Sequence, residues 1–193
     1  MNIQQVNMKL ISGLQRRIFW IYFRRTVYAL IIGAIGSIIG AYFQKQNWYE
    51  QNELTKLEND RKRAEEIFSE VSTLMDDRLY KTVRLLSAYK QNNNQTIIKY
   101  KESFIAQLEE WNSNKGRINA LLDGYFGESF SQYFLHQIQN DFAICGNMLS
   151  YDPQNNIIQI DSITKGLRPK IFILNKRMIQ AIKCDQVGRY ADK

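Results

Sequence analysis

The chain has 193 residues, with 26 Lys and Arg against 19 Asp and Glu for a net charge of +7. Such a balance is often read as nucleic-acid binding, but its distribution argues against that reading. Residues 1–49 hold six basic residues (Lys9, Arg16, Arg17, Arg24, Arg25 and Lys45) and no acid, whereas residues 50–193 hold twenty basic residues against nineteen acidic ones. The excess belongs to the N-terminal end, where anionic lipid is the partner it fits, at about 1 kcal/mol per basic residue near a membrane surface.

Residues 1–25 form a basic segment, and residues 10–23 within it have the composition of a short amphipathic helix lying in a membrane interface. Residues 26–43 then run for eighteen positions without a charge. As a helix they cover about 27 Å at ~1.5 Å per residue, close to the ~30 Å hydrocarbon thickness of a bilayer. Trp20, Tyr22, Phe23 and Tyr28 stand at one end, and Tyr42, Phe43, Trp48 and Tyr49 at the other. Amphipathic rings at both ends are what two headgroup levels select. The pattern predicts an uncleaved single-pass anchor, with Arg16, Arg17, Trp20, Arg24, Arg25 and Trp48 at the membrane interfaces. Five basic residues on the N-terminal flank place the N-terminus in the cytoplasm and the rest of the chain outside.

Small residues are ordered within the span. Ala29, Gly33, Ser37 and Ala41 recur every four positions, with Gly36 and Gly40 beside them. On a helix they make a shallow groove that lets a second backbone approach, so the sequence predicts self-association or association with another membrane protein.

Residues 44–184 are enough for one domain, and their apolar spacing is helical. The first stripe runs Leu54, Leu57, Ala64, Ile67, Val71, Leu74, Arg78, Thr82, Leu85 and Tyr89 along one long helix that can continue the span. The Asn-rich stretch 91–96 breaks it, with Thr96 as the expected cap of the next helix. A second stripe runs Ile98, Phe104, Ile105, Leu108, Trp111, Ile118, Leu122 and Tyr125. A third, between Glu128 and Ser150, places Phe134, Ile138, Phe142, Cys145 and Leu149 on one face. A turn follows over 151–156. In the fourth region Gly166 and Pro169 are expected to kink or divide the helix, and Ile157–Ile160 alone can pass for a short strand. Residues 185–193 carry no periodic pattern and read as a flexible tail. The expected fold is all-α: a single N-terminal transmembrane helix followed by an antiparallel bundle of about four helices.

The residues give little sign of catalysis. The single histidine, His136, has no partner motif, and Cys145 and Cys184 lack the spacing of a metal framework. No catalytic residue, metal or cofactor is expected. In a straight hairpin the two cysteines lie some 30 Å apart at ~1.5 Å per residue, so two free thiols are predicted, with Cys145 buried. Arg78 takes a core position on its stripe, and Asn112 and Lys115 fall where the second stripe expects apolar side chains, beside Trp111. Together Arg78, Trp111, Asn112 and Lys115 predict one buried polar layer, which either fixes helix register or receives a ligand. The functional expectation is a non-enzymatic, membrane-anchored interaction or scaffold protein, and the alternative is a membrane-anchored sensor or ligand-binding module that signals through a partner.

Overall fold

The computed structural model describes the backbone of residues 3–188 and 191, and the side chains of residues 18–188 and 191. The described residues are almost entirely helical, and no strand occurs among them. Helix α1 spans Ile3–Lys90, α2 Asn94–Phe126, α3 Glu128–Tyr133, α4 Asn140–Tyr151 and α5 Pro153–Lys183. A π-helical turn, Phe134–Gln139, joins α3 to α4, so that these three segments make one rod. The chain divides into two compact units, Met1–Thr55 and Lys56–Lys193.

In the second unit the four rods run antiparallel in sequence order. From α1 to α2, Glu70 pairs with Arg117 and Arg84 with Tyr100. From the third rod to α5, Asp141 pairs with Lys170 and Ser129 with Arg177. From α1 to α5, Ser72 pairs with Asn175 and Lys90 with Asp161. In each case one number rises as the other falls, which is the mark of opposed directions.

The connections are short and each has a local cause. Asn93 caps α2, its side-chain oxygen accepting the Thr96 N–H at 3.1 Å. The cap is therefore Asn93 and not Thr96, because the accepting side chain must precede the first turn. Gly127 separates α2 from α3 at φ 91° and ψ 165°, a conformation open essentially to glycine alone. Asp152 is the whole break between α4 and α5, since Pro153 already starts the next helix and its missing N–H costs nothing there.

Several expectations are corrected by packing. Residues 157–160 are helical, and α5 runs unbroken past Gly166 and Pro169. Its stripe of Ile160, Thr164, Leu167, Ile171, Leu174 and Met178 is buried, and that burial outweighs the ~3 kcal/mol cost of an interior proline. Pro169 itself is exposed, where water can satisfy the carbonyl it leaves free. Leu54, Ile98 and Ile105 lie outside the core, and Met75, Gln107 and Phe126 are buried instead. Val187 is buried against the main cluster, so chain packing extends beyond 184. Residues 189, 190, 192 and 193 of the expected tail lie outside the described residues.

Two substitutions test these backbone arguments in urea denaturation of the full chain. Gly127→Ala is expected to destabilise the bundle by about 1–3 kcal/mol, because alanine is strained at that φ and ψ. Pro169→Ala is expected to stabilise it, by up to about 3 kcal/mol, because the helix regains a hydrogen bond on an exposed face.

Candidate functional site

The core of the second unit is two apolar clusters with a polar layer between them. The larger includes Ile67, Val71, Met75, Trp111, Ile118, Phe134, Phe142, Leu167 and Leu174. The smaller includes Leu85, Tyr89, Phe104, Cys145, Leu149 and Ile160. Where one gives way to the other, α1 contributes Arg78 and Thr82, α2 contributes Gln107 and α5 contributes Thr164, all at least 97% buried. The third rod contributes Gly146 at the same level, also buried.

Three members of the layer satisfy themselves locally. Thr82 Oγ1 donates to the Arg78 carbonyl at 2.8 Å, and Thr164 Oγ1 to the Ile160 carbonyl at 2.8 Å. With its amide oriented so that nitrogen meets oxygen, Gln107 donates to Asp77 at 2.8 Å and Glu110 at 2.9 Å. Arg78 is different. Its Nε and Nη1 have no hydrogen-bond partner, and no carboxylate forms an ion pair with it among the described residues.

What surrounds the Arg78 guanidinium is aromatic. Its central carbon lies 5.2 Å from the Phe104 ring, 5.9 Å from Trp111 and 5.8 Å from Phe142. Ring faces attract a desolvated cation by about 2 kcal/mol in favourable cases, which offsets part of the large cost of burying it. Gly146 makes the room: a Cβ there would stand 3.1 Å from Arg78 Nη2 and 3.8 Å from Leu108. Burial pulls the Arg78 pKa down to about 10, with Cys145 as the weaker opposing influence. The guanidinium therefore stays charged at neutral pH.

Two neighbours complete the geometry. Trp111 packs edge-on to Phe142 at 4.9 Å and tilted to Phe134 at 5.9 Å, and its Nε1 donates to Gln139 Oε1 at 2.6 Å. Gln139 closes the π turn, whose signature is the Asn140 N–H donating to the Leu135 carbonyl five residues back. Cys145, 1% exposed, has its thiol pushed up to about 12, chiefly by burial and then by Asp141, with Arg78 opposing. Both cysteines are free, Cys145 buried and Cys184 exposed.

The structure thus brings Arg78 and Trp111 together and leaves Asn112 and Lys115 exposed, which corrects their place in the layer. On an antiparallel pair the inward positions of α2 fall at 104, 107, 111 and 118, and residues one and four beyond Trp111 rotate outward. The residues missed by pattern were Gln107, Thr164 and Gly146. Thr82 lay on the stripe, but Gln107 and Thr164 are recognisable only from which rods meet there.

In the first unit every side chain from Ile18 to Gln51 except Val27 is exposed, including Trp20, Arg24, Arg25 and Trp48. The side chains of Arg16 and Arg17 lie outside the described residues. An 18-residue window of this helix reaches a mean hydropathy of 1.9 with none of it buried, long and apolar enough to cross a membrane. Two aliphatic hydroxyls bond to their own helix: Thr26 donates to the Tyr22 carbonyl at 3.0 Å and Ser37 to the Gly33 carbonyl at 2.9 Å. A Cβ at Gly33, Gly36 or Gly40 would meet nothing within 4 Å. Among the described residues no group of three or more His, Cys, Asp or Glu is placed to hold a metal ion. Comparison with protein-family models, with curated proteins and with solved structures found no match.

Two outcomes follow for the layer. Arg78→Met keeps the volume, removes an unpaired buried charge and gives a thioether to the rings, so its melting temperature should rise. Arg78→Ala leaves a cavity and should cost about 2–5 kcal/mol. For Cys145, the unfolded thiol ionises above its ordinary 9.0 while the folded one holds its proton to about 12. Its contribution is full below pH 9 and is lost as pH rises toward 12, at up to ~1.4 kcal/mol per pH unit. Urea midpoints measured from pH 8 to 11 should therefore fall more steeply for the parent chain than for Cys145→Ala.

Proposed function

We propose that the chain is a single-pass, membrane-anchored helical interaction or scaffold protein without enzymatic activity. The observation that carries this reading is the uncovered apolar helix. Residues 26–43 present large exposed side chains such as Leu30 (68% exposed), Ile32 (70%) and Ile38 (70%). Exposed apolar area of that extent is stable in lipid and not in water.

Further features agree with a span. The distance from Trp20 to Trp48 is about 42 Å at ~1.5 Å per residue, comparable to the ~40–45 Å between the outer edges of two headgroup regions. The hydroxyls of Thr26 and Ser37 are occupied by carbonyls of their own helix, so neither carries an unpaired donor into hydrocarbon. The ridge of Ala29, Gly33, Ser37 and Ala41, with Gly36 and Gly40, is open along its length, and it serves as the contact for a second helix in the membrane. The basic flank keeps the N-terminus cytoplasmic and the bundle outside.

The alternative, a sensor whose polar layer receives a ligand, has Arg78 in its favour as a buried cation without an acceptor. Arg78 is only 1% exposed, so a ligand would have to part the rods to reach it. The same residue acts more simply as a register device: it fits where three rings and a glycine meet, and a buried polar group limits the allowed alignments at a cost in stability.

The reading is tested by resistance of the uncleaved chain to alkaline extraction from membranes, and by protease access to the bundle in sealed cells. In a membrane association reporter, Gly36→Ile with Gly40→Ile should reduce signal about tenfold, because branched side chains hold the backbones apart. A chain released by alkali would overturn the anchor, and an undiminished reporter signal would overturn the ridge as its contact.

A further inference from the structure

On the outer surface of the Lys56–Lys193 unit, α1 and α2 each offer a pair of residues four apart to a shared concavity. Tyr80 and Arg84 come from α1, Lys99 and Ser103 from α2, and Lys81 and Tyr100 complete a pocket of about 180 Å³. Its lining holds three cations and three hydroxyls and no carboxylate.

Arg84 is fixed in place without being neutralised. Its guanidinium carbon lies 4.8 Å from the Tyr80 ring and 5.4 Å from the Tyr100 ring, and Nη1 donates to the Tyr100 hydroxyl at 3.0 Å. Stacking and a phenol hydrogen bond orient the planar fork while leaving its charge unanswered. Lys81 has a carboxylate partner, Asp77 at 2.9 Å. Neither Arg84 nor Lys99 forms an ion pair among the described residues, whereas Lys90, Lys165, Lys170 and Arg117 are each matched by an acid.

We propose that this pocket binds a phosphate group. An oriented guanidinium, a mobile ammonium and hydroxyl donors arriving from two helices suit a tetrahedral dianion, which accepts several charge-assisted hydrogen bonds from different directions. A carboxylate would use fewer of these donors and answer less of the charge. The group can come from free phosphate or from the head of an anionic lipid, and the chemistry of recognition is shared. The site is independent of the membrane reading, since it is built wholly within the bundle.

The test is isothermal titration of the full chain in phosphatidylcholine nanodiscs at low salt, with inorganic phosphate in one arm and dihexanoyl phosphatidic acid in the other. Saturable one-site binding is expected, weakened about tenfold or more by Arg84→Gln and by Lys99→Gln. Lys176→Gln, an exposed change on α5 outside the pocket, should leave affinity within about twofold. Binding of inorganic phosphate with this pattern assigns free phosphate; binding of phosphatidic acid alone with the same pattern assigns a lipid headgroup. Absence of saturable binding in both arms overturns the proposal. So does affinity unchanged in both pocket variants, or an equal loss in Lys176→Gln, which would mean that net charge alone is at work.

Discussion

A guanidinium without a counterion lies at the centre of this bundle, and the arrangement around it follows from how a buried charge is tolerated. Arg78 is 1% exposed and no acid among the described residues pairs with it, so its visible stabilisation comes from polarisable and quadrupolar neighbours. Those neighbours, Phe104 and Trp111 from α2 and Phe142 from α4, belong to two different rods and must both meet α1 at one level. Gly146 is small where the guanidinium passes. The charge therefore ties three rods to a common register, and it divides what would otherwise be one continuous apolar core. In general a buried polar group lowers stability and can narrow the choice of alignments.

The π turn belongs to the same constraint. Trp111 carries one polar atom into the core, and an unpaired indole N–H there would add a second uncompensated group beside the first. Gln139 supplies the acceptor from the last position of the Phe134–Gln139 turn. The wide turn inserts an extra residue into the repeat of the third rod. Phe134 and Ile138 within it and Phe142, Cys145 and Leu149 after it are all buried. The aromatic cage and its hydrogen bond thus depend on a local irregularity in a rod that is otherwise regular.

The two units meet the solvent question in opposite ways. In the bundle, apolar side chains are covered by other rods, and charged residues of the outer faces pair largely across short helical spacings or between neighbouring rods. In the first unit, apolar side chains are presented outward at every angle, and the polar hydroxyls turn back on their own helix. One set of apolar side chains is covered by the protein itself, and the other lies on a helix long and apolar enough to cross a membrane. Basic residues without acids gather beside the second kind of surface, while the bundle is close to neutral.

The sequence by itself determined the helical class, the uncharged run of 26–43 with its aromatic ends, and most of the inward faces. These are local properties: a 3.6-residue period marks a face whatever it packs against, and Phe134, Ile138, Phe142, Cys145 and Leu149 were recognisable on that basis. Arg78 also stood out, because a charge on an apolar stripe is visible without a structure. Only the tertiary structure decided which residues meet it. Asn112 and Lys115 rotate outward, while Gln107 and Thr164 turn inward, since the inward line on each rod is set by where its two neighbours sit. It also decided that α5 passes Pro169 unbroken, a case where burial along a whole face exceeds one local penalty. The π turn was not read from the sequence either; it ends at Gln139, which accepts from Trp111 of another rod, and a contact between two rods is not a local property of the residues that form the turn.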